Sequence, residues 1–384
     1  VGIILHLGAL LLGLSVARAD VPPPNARLEA AIDEVVAKQG VSADGPGVAV
    51  MVRQPGKLLF QKGYGRANLR NGAPITPQTR FYLASLSKSF TATAVLLLHE
   101  RGRLSIDDNV RLYVPELPVW GRGQVIRIKD LLHHVSGLPE YLDLQNVPGH
   151  HRGYWVGEDY LLEIARRRLP LHFATGYKYE YNNTNYVLLA EIVQRVAKKP
   201  FGAFLHDEVF VPAGMTSAFL FEVVNGTVPR ATFEGVNAIG YERGKAGEPV
   251  WKESWGTLPF RRESLVPMGD GGIWGNLEDL ARWDAAMRDG KILKPATRKL
   301  ALAPSQTADG KTNNYGFGWS LYFGKGGSLI GYGHRGLWRG FRANYYDYVL
   351  EDRTTVILSN RSDFDPDKFW YALDDAVEKN QVGK

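Results

Sequence analysis

The segment Ser85-Leu86-Ser87-Lys88, followed at once by the apolar run Phe90 to Leu98, constrains this chain more than any other stretch. It predicts a helix that Ser85 opens and that ends near Gly102. Positions i and i+3 share one helical face, so the Lys88 amine reaches the Ser85 hydroxyl and helps remove its proton. The field at a helix N-terminus favours the negative charge that develops, and an otherwise inert serine becomes a nucleophile. A chain of this length holds an S-x-x-K about once by chance at ordinary composition. The competing reading is a Ser N-cap with a solvated lysine, and the rest of the sequence has to decide.

Residues 3–16 are apolar and run into Ala17-Arg18-Ala19 before Asp20. This pattern predicts a secretory signal peptide over 1–19, and hence a periplasmic or secreted protein. A run shorter than ~18 residues is a poor membrane anchor, so no stable membrane insertion is expected after cleavage. The chain has no Cys, which excludes disulfides, thiol catalysis and Cys-ligated metals and suits an oxidising compartment. The net charge of +6 is dispersed, apart from Arg166-Arg167-Arg168. That triplet closes a helical pattern, where cations complement the helix terminus, so no nucleic-acid partner is indicated.

Helical spacing over 26–39 stops at Gly40, and Gly47–Arg53 with Leu58–Tyr64 reads as a hairpin across Pro55-Gly56. Residues 103–255 carry short helical patterns at 128–134, 158–167 and 186–197, with little clear strand. A helix over Leu277–Met287 follows Asn276, a candidate N-cap. Phe317–Tyr322, Ser328–Gly333, Ala343–Leu350 and Thr354–Leu358 read as successive antiparallel strands, and 366–379 as a closing helix. The expected fold class is therefore α/β (α+β). Residues 20–384 form one unit, its α/β part at about 20–102 and 260–384, with a helical lobe inserted at about 103–259.

Gly331-Tyr332-Gly333-His334-Arg335-Gly336 matches G-x-G-x-x-G, but the β-like segment after it lacks the helix that a dinucleotide needs. His133/His134 and His150/His151 are sequence neighbours that point to different faces, and no H-E-x-x-H occurs. No metal site and no cofactor is called for. G-x-S-x-G is absent, which argues against an α/β-hydrolase nucleophile elbow. Tyr181-Asn182-Asn183 precedes the 186–197 helix. Either Asn183 or Thr184 caps that helix, or the Tyr181 phenol serves as a base beside cations, with Lys88 and protonated His334 as their source. In the second case Asn183 offers an amide to the substrate. His334 and Gly336 share one face of a strand end, with Arg335 on the other. Gly336 admits close approach of a substrate backbone, and the Leu337 N–H pairs with that of Ser85 as an oxyanion hole. The aromatics Tyr154, Trp155, Trp251, Trp255, Trp274 and Trp338 either line an apolar pocket or pack the core.

Taken in order, SLSK at 85–88, YNN at 181–183 and HRG at 334–336 resemble the S-x-x-K, Y-x-N and K/H-x-G motifs of the penicillin-recognising serine hydrolases. The match is to the class C β-lactamase and DD-peptidase branch of the serine β-lactamase-like family. Connecting stretches such as DLLHHVSGLPEY and MGDGGIWGNLEDLARW carry the same resemblance, which covers about 26–380. It implies an antiparallel sheet flanked by helices, a helical lobe beside it, and a site in the cleft between. It further implies Ser85 as acyl-forming nucleophile, Lys88 sharing its proton, and Tyr181 as base and proton shuttle. Asn183 would contact the acyl-side amide, and His334 would close the proton network. HRG in place of KTG is more similar to DD-peptidases, D-aminopeptidases and esterases than to efficient β-lactamases. Arg335 stands where a substrate carboxylate is met, so it either binds that group or obstructs the cleft. Leu337 and Trp338 replace small residues. The expected partner is a small-molecule or peptide substrate. A class C-like β-lactamase and a catalytically silent penicillin-binding receptor are the alternatives, and the sequence leaves the oligomeric state open.

Overall fold

The computed structural model describes residues 26–121, 123–146, 157–221, 237–246, 250–255 and 268–380. Residues 1–19, which the sequence pattern marks as a candidate signal peptide, and His150, His151, Tyr154 and Trp155 lie outside them.

The main sheet is built from residues far apart in sequence. Its strands are β1 (Val48–Gln54), β2 (Lys57–Tyr64), β3 (Ser320–Phe323), β4 (Leu329–Trp338), β5 (Phe341–Tyr348) and β6 (Arg353–Ser359). Every neighbour is antiparallel and the spatial order is β3-β4-β5-β6-β1-β2. The chain's last strand thus pairs with its first, Val48 opposite Ser359. Side chains alternate across the sheet. Val48, Val50 and Val52 pack on one face against α1 (Ala26–Lys38) and α6 (Pro366–Asn380), through Leu28, Ile32, Val36, Phe369, Leu373 and Val377. Ala49, Met51, Ala343, Tyr345, Val356 and Leu358 turn to the larger core on the other face.

That second core is centred on α2 (Ser87–Glu100), whose residues 87–98 are all buried. A helix apolar on every side belongs inside a protein. Its interspersed polar residues bond to backbone: Ser89 donates to Leu86 O, Thr91 to Gly269 O and Thr93 to Ser89 O. Against it pack α4 (Asn183–Ala197) and, through Trp283 stacked on Phe90, α5 (Leu277–Arg288), while α3 (Gly157–Arg167) packs on α4. Asn276 caps α5 reciprocally with Asp279, as the sequence predicts. Arg166 and Arg167 both pair with Glu163 of α3, which is the local role expected of that basic triplet.

Three readings change. Ser85 does not open the α-helix; it sits in the 3₁₀ turn Ala84–Leu86 just before it. HRG is not at a strand end but within β4, which runs five residues past Gly333. Within 103–255 a hairpin pairs Gly240–Arg243 with Trp251–Trp255, and its Tyr241 exchanges hydrogen bonds with Asn360 and Ser362 beyond β6. Weak alternation and turn-rich flanks hide such a short hairpin from a periodicity reading.

Asp284 on α5 locks that helix to the sheet. Its buried carboxylate pairs with Arg53 of β1 and Arg288, and accepts from Tyr345 at 2.7 Å and Thr354 at 3.0 Å. Removing one partner of a buried pair leaves the other charge uncompensated. Asp284→Ala is expected to cost about 3–5 kcal/mol, read as a lowered midpoint in urea denaturation.

Candidate active site

Of residues 81–98, Ser85 alone is not buried. Ala84, immediately before it, has φ of 47°, a left-handed conformation that a non-glycine holds only when its surroundings fix it. The surroundings are β4. A Cβ on Gly336 would stand 2.1 Å from the Leu83 carbonyl oxygen and 3.2 Å from Ala84 Cβ. Gly336 therefore lets the strand pack against the backbone of the Ser85 turn itself, rather than leaving room for a substrate backbone. Ser87, the inner serine of the motif, accepts from Ile273 N at 3.2 Å and fixes the start of α2.

Lys88 is fully buried. Its Nζ lies 3.1 Å from Ser85 Oγ, 2.8 Å from Asn183 Oδ1 and 2.8 Å from the Asp270 carbonyl oxygen. Three acceptors match the three donors of an ammonium. The same nitrogen stands 5.0 Å from the centroid of the Tyr181 ring, a cation–π contact.

Ser85, Tyr181, Asn183, His334, Arg335, Leu337 and Trp338 line one cavity of about 590 Å³, together with Tyr82, Tyr179, Asp270, Tyr315 and Ser320. A second compartment of about 350 Å³, with Lys178, Asp309 and Lys311 in its wall, shares Tyr179, Tyr315 and Ser320 with the first. The strand β3 ends opposite Gly333, so residues 334–338 of β4 pair with β5 only.

Three expectations are corrected. Asn183 does not present a free amide, because its oxygen faces Lys88 and its Nδ2 donates to Glu140 at 3.1 Å. Nor does Asn183 or Thr184 cap the helix; Asn182 is the N-cap residue, and its side chain donates to Leu138 O at 2.7 Å instead of capping. His334 is not a cation. Its Nδ1 is 2.7 Å from its neighbour's carbonyl, Arg335 O, and so carries the hydrogen. Its Nε2 is left to accept from Tyr315 Oη at 2.9 Å. Burial, reinforced by Lys88, lowers its pKa to about 3. Arg335, which lines the cavity as well, is ion-paired with Asp367 of α6. Of the aromatics, Trp274 is core and Trp338 lines the cavity, whereas Trp251 packs 5.1 Å from the Arg361 guanidinium.

Sequence reasoning missed Tyr315, Glu140 and Asp270. Burial raises the pKa of both carboxyls, with their mutual repulsion adding to that of Glu140. Asp270 accepts from Tyr141 at 2.8 Å. Glu140 and Asp270 stand in the connecting stretches that carry the resemblance, but a lone acidic residue has no spacing signature. Tyr315 belongs to no motif. Among the described residues no cluster of His, Cys, Asp and Glu could hold a metal ion.

With this geometry in hand, comparison with known proteins decides the family. The beta-lactamase family model matches residues 28–378. The chain belongs to the beta-lactamase family. This beta-lactamase family member is 29% identical over 324 residues to penicillin-binding protein 4* of Bacillus subtilis, covering 82% of this chain and 68% of that one. It is 30% identical over 317 residues to a D-aminopeptidase of Brucella anthropi, covering 82% of this chain and 56% of the relative. The chain thus spans little more than half the length of that D-aminopeptidase. Among solved structures, D-amino acid amidase from Ochrobactrum anthropi SV3 shares the fold at a TM-score of 0.73 and 23% identity, covering 94% of this chain and all of that one. The octameric penicillin-binding protein homologue from Pyrococcus abyssi matches at 0.73 and 24%, covering 92% and 77%.

His334 sets a pH dependence for this family member. Unfolded, its imidazole takes a proton near 6.5; folded, only near 3. Between those values the unfolded chain binds more protons, so stability falls as pH drops through that window and is level above it. Partly buried His133 and fully buried His134, lowered by desolvation as well, act in the same sense. Melts across the window are expected to show a falling Tm, and His334→Gln a shallower fall.

Proposed function

We propose that this protein is a serine hydrolase working by two-step acyl transfer on an amide, ester or β-lactam, with D-amino-acid peptides and amides or carboxylic esters favoured. The observation that carries the reading is the 3.1 Å contact of a buried Lys88 Nζ with Ser85 Oγ at the wall of a cavity. Lys88 is donor-saturated by Ser85, Asn183 and Asp270, so Tyr181, half-exposed beside it, takes the role of proton carrier. Ser85 Oγ adds to the substrate carbonyl carbon as its proton passes to the Tyr181 oxygen, which this step requires as the phenolate and converts to the phenol, and the tetrahedral oxyanion forms between the Ser85 and Leu337 N–H groups. Tyr181 returns that proton to the departing nitrogen or oxygen, the old acyl bond breaks, and the acyl group remains on Ser85. Water then adds to the ester by the same route, Ser85 regains its hydrogen, and the carboxylic acid leaves.

The D-aminopeptidase and penicillin-binding protein relatives support this class of reaction. The second compartment joined at Tyr179 and Tyr315 gives room for a chain extending beyond a small ring, which favours peptide-like substrates over β-lactams. Export by way of residues 1–19 belongs to the same proposal and rests on the sequence pattern.

A fluorophosphonate probe is expected to label the chain at Ser85, and Ser85→Ala to abolish labelling; persistent labelling overturns the nucleophile assignment. Comparing kcat/KM for a p-nitrophenyl ester, a D-amino-acid amide, a D-Ala-D-Ala peptide and a cephalosporin is expected to rank the first three above the last. A cephalosporin ranked first makes the protein a β-lactamase, and no turnover of any makes it a silent receptor.

A further inference from the structure

His134 is the most enclosed histidine near the site and has no part in the reaction above. It is completely buried and its backbone is left-handed, with φ of 58°. Non-glycine residues rarely hold that conformation, so something fixes it. The contacts on either side of Tyr181 show what. Glu180 N donates to the His134 carbonyl at 3.0 Å, and Asn182 N donates to His134 Nδ1 at 3.2 Å. The Tyr181 ring between those two residues lies 4.4 Å, centroid to centroid, from the imidazole. One residue thus grips the backbone before and after Tyr181 and backs its ring.

The protonation state follows from the donors. Ser136 Oγ accepts from Leu138 N at 3.1 Å and donates to Asn185 Oδ1 at 2.5 Å. The Asn185 amide group therefore faces His134, with Nδ2 3.1 Å from Nδ1. Two N–H donors, from Asn182 and Asn185, converge on one ring nitrogen, which leaves that nitrogen no hydrogen of its own. The hydrogen is on Nε2, which has no hydrogen-bond partner and lies among the rings of Tyr181, Tyr186 and Tyr315.

We propose that His134, held as the neutral Nε2–H tautomer, is the positioning residue that sets Tyr181 against Lys88 and Ser85. The inference rests on the role of Tyr181 in the proposed reaction. The surrounding loop is built to the same end. Val135 O accepts from Gly176 N and Gly137 O from His172 N, both at 2.8 Å, so residues 134–137 form a frame along which the 172–182 segment is laid. Misplacing a reacting group by about 1 Å costs on the order of 10²-fold in rate.

Two measurements on the full chain test this. The first uses nitrogen NMR on ¹⁵N-histidine-labelled protein, with His134 assigned by its loss in His134→Asn. It is expected to show Nδ1 unprotonated and Nε2 protonated at neutral pH. The opposite tautomer or an imidazolium overturns the proposal whether or not a substrate has been found. The second is kinetic, on whichever substrate the panel yields, at a temperature where each variant is folded by circular dichroism. His134→Ala is expected to lower kcat by about 10²-fold with little change in KM. His134→Asn, which tolerates the left-handed backbone and offers an acceptor near the Nδ1 position, is expected to recover most of it. Equal loss in both variants, or loss in neither, overturns the proposal. A wild-type chain that turns over nothing sinks the hydrolase reading instead, and the tautomer measurement still stands.

Discussion

A lysine ammonium with no exposure to solvent organises this molecule. Such a charge persists inside a protein only where oxygens surround it, and the three around Lys88 come from three separate stretches of chain. Ser85 precedes α2 in a 3₁₀ turn, Asn183 begins α4, and the Asp270 carbonyl belongs to the loop before Ile273–Gly275. None of the three supplies enough alone. The lobe that carries Tyr181 and the core that carries Ser85 are drawn together at one nitrogen.

The rest of the site is arranged to keep that convergence rigid and one hydroxyl reachable. Gly336 lets β4 press on the Leu83 carbonyl, and Ala84 is held left-handed beneath Ser85. Glu140 receives both the backbone N–H and the side-chain amide of Asn183, which fixes the oxygen of that amide on Lys88. Tyr315 fills the acceptor of His334. The polar groups of the wall are thus largely spoken for by one another. A substrate meets a preorganised surface with Ser85 Oγ and the Tyr181 phenol at its open side.

Much of this was legible in the residues, and the unread part has physical causes. Strong periodicity located α1, α4, α5, α6 and the strands of the main sheet, and Asn276 marked a helix start through its own capping chemistry. Ordered motifs picked out Ser85, Tyr181 and His334, which the fold brings to one cavity, and Lys88, buried behind Ser85. Sequence reading failed where a residue's state depends on neighbours remote in the chain. His334 is neutral because of burial and Lys88, far upstream. Asn183 is engaged because Glu140 accepts from both its backbone and its side chain, and Arg335, at the cavity wall, is paired with Asp367 in the closing helix. The hairpin at 240–255 escaped because its strands are short and dock on residues 360–362.

The pairing of β6 with β1 has a consequence for how the protein is made. The segment bearing Ser85 and Lys88 leaves the ribosome well before the strand that braces it, β4, and the one that closes the sheet, β6, which follow more than 240 residues later. Closure across so long a sequence separation is slow. A nascent chain therefore carries the nucleophile ahead of its brace, and the turn that holds Ser85 is supported only once β4 has docked on it.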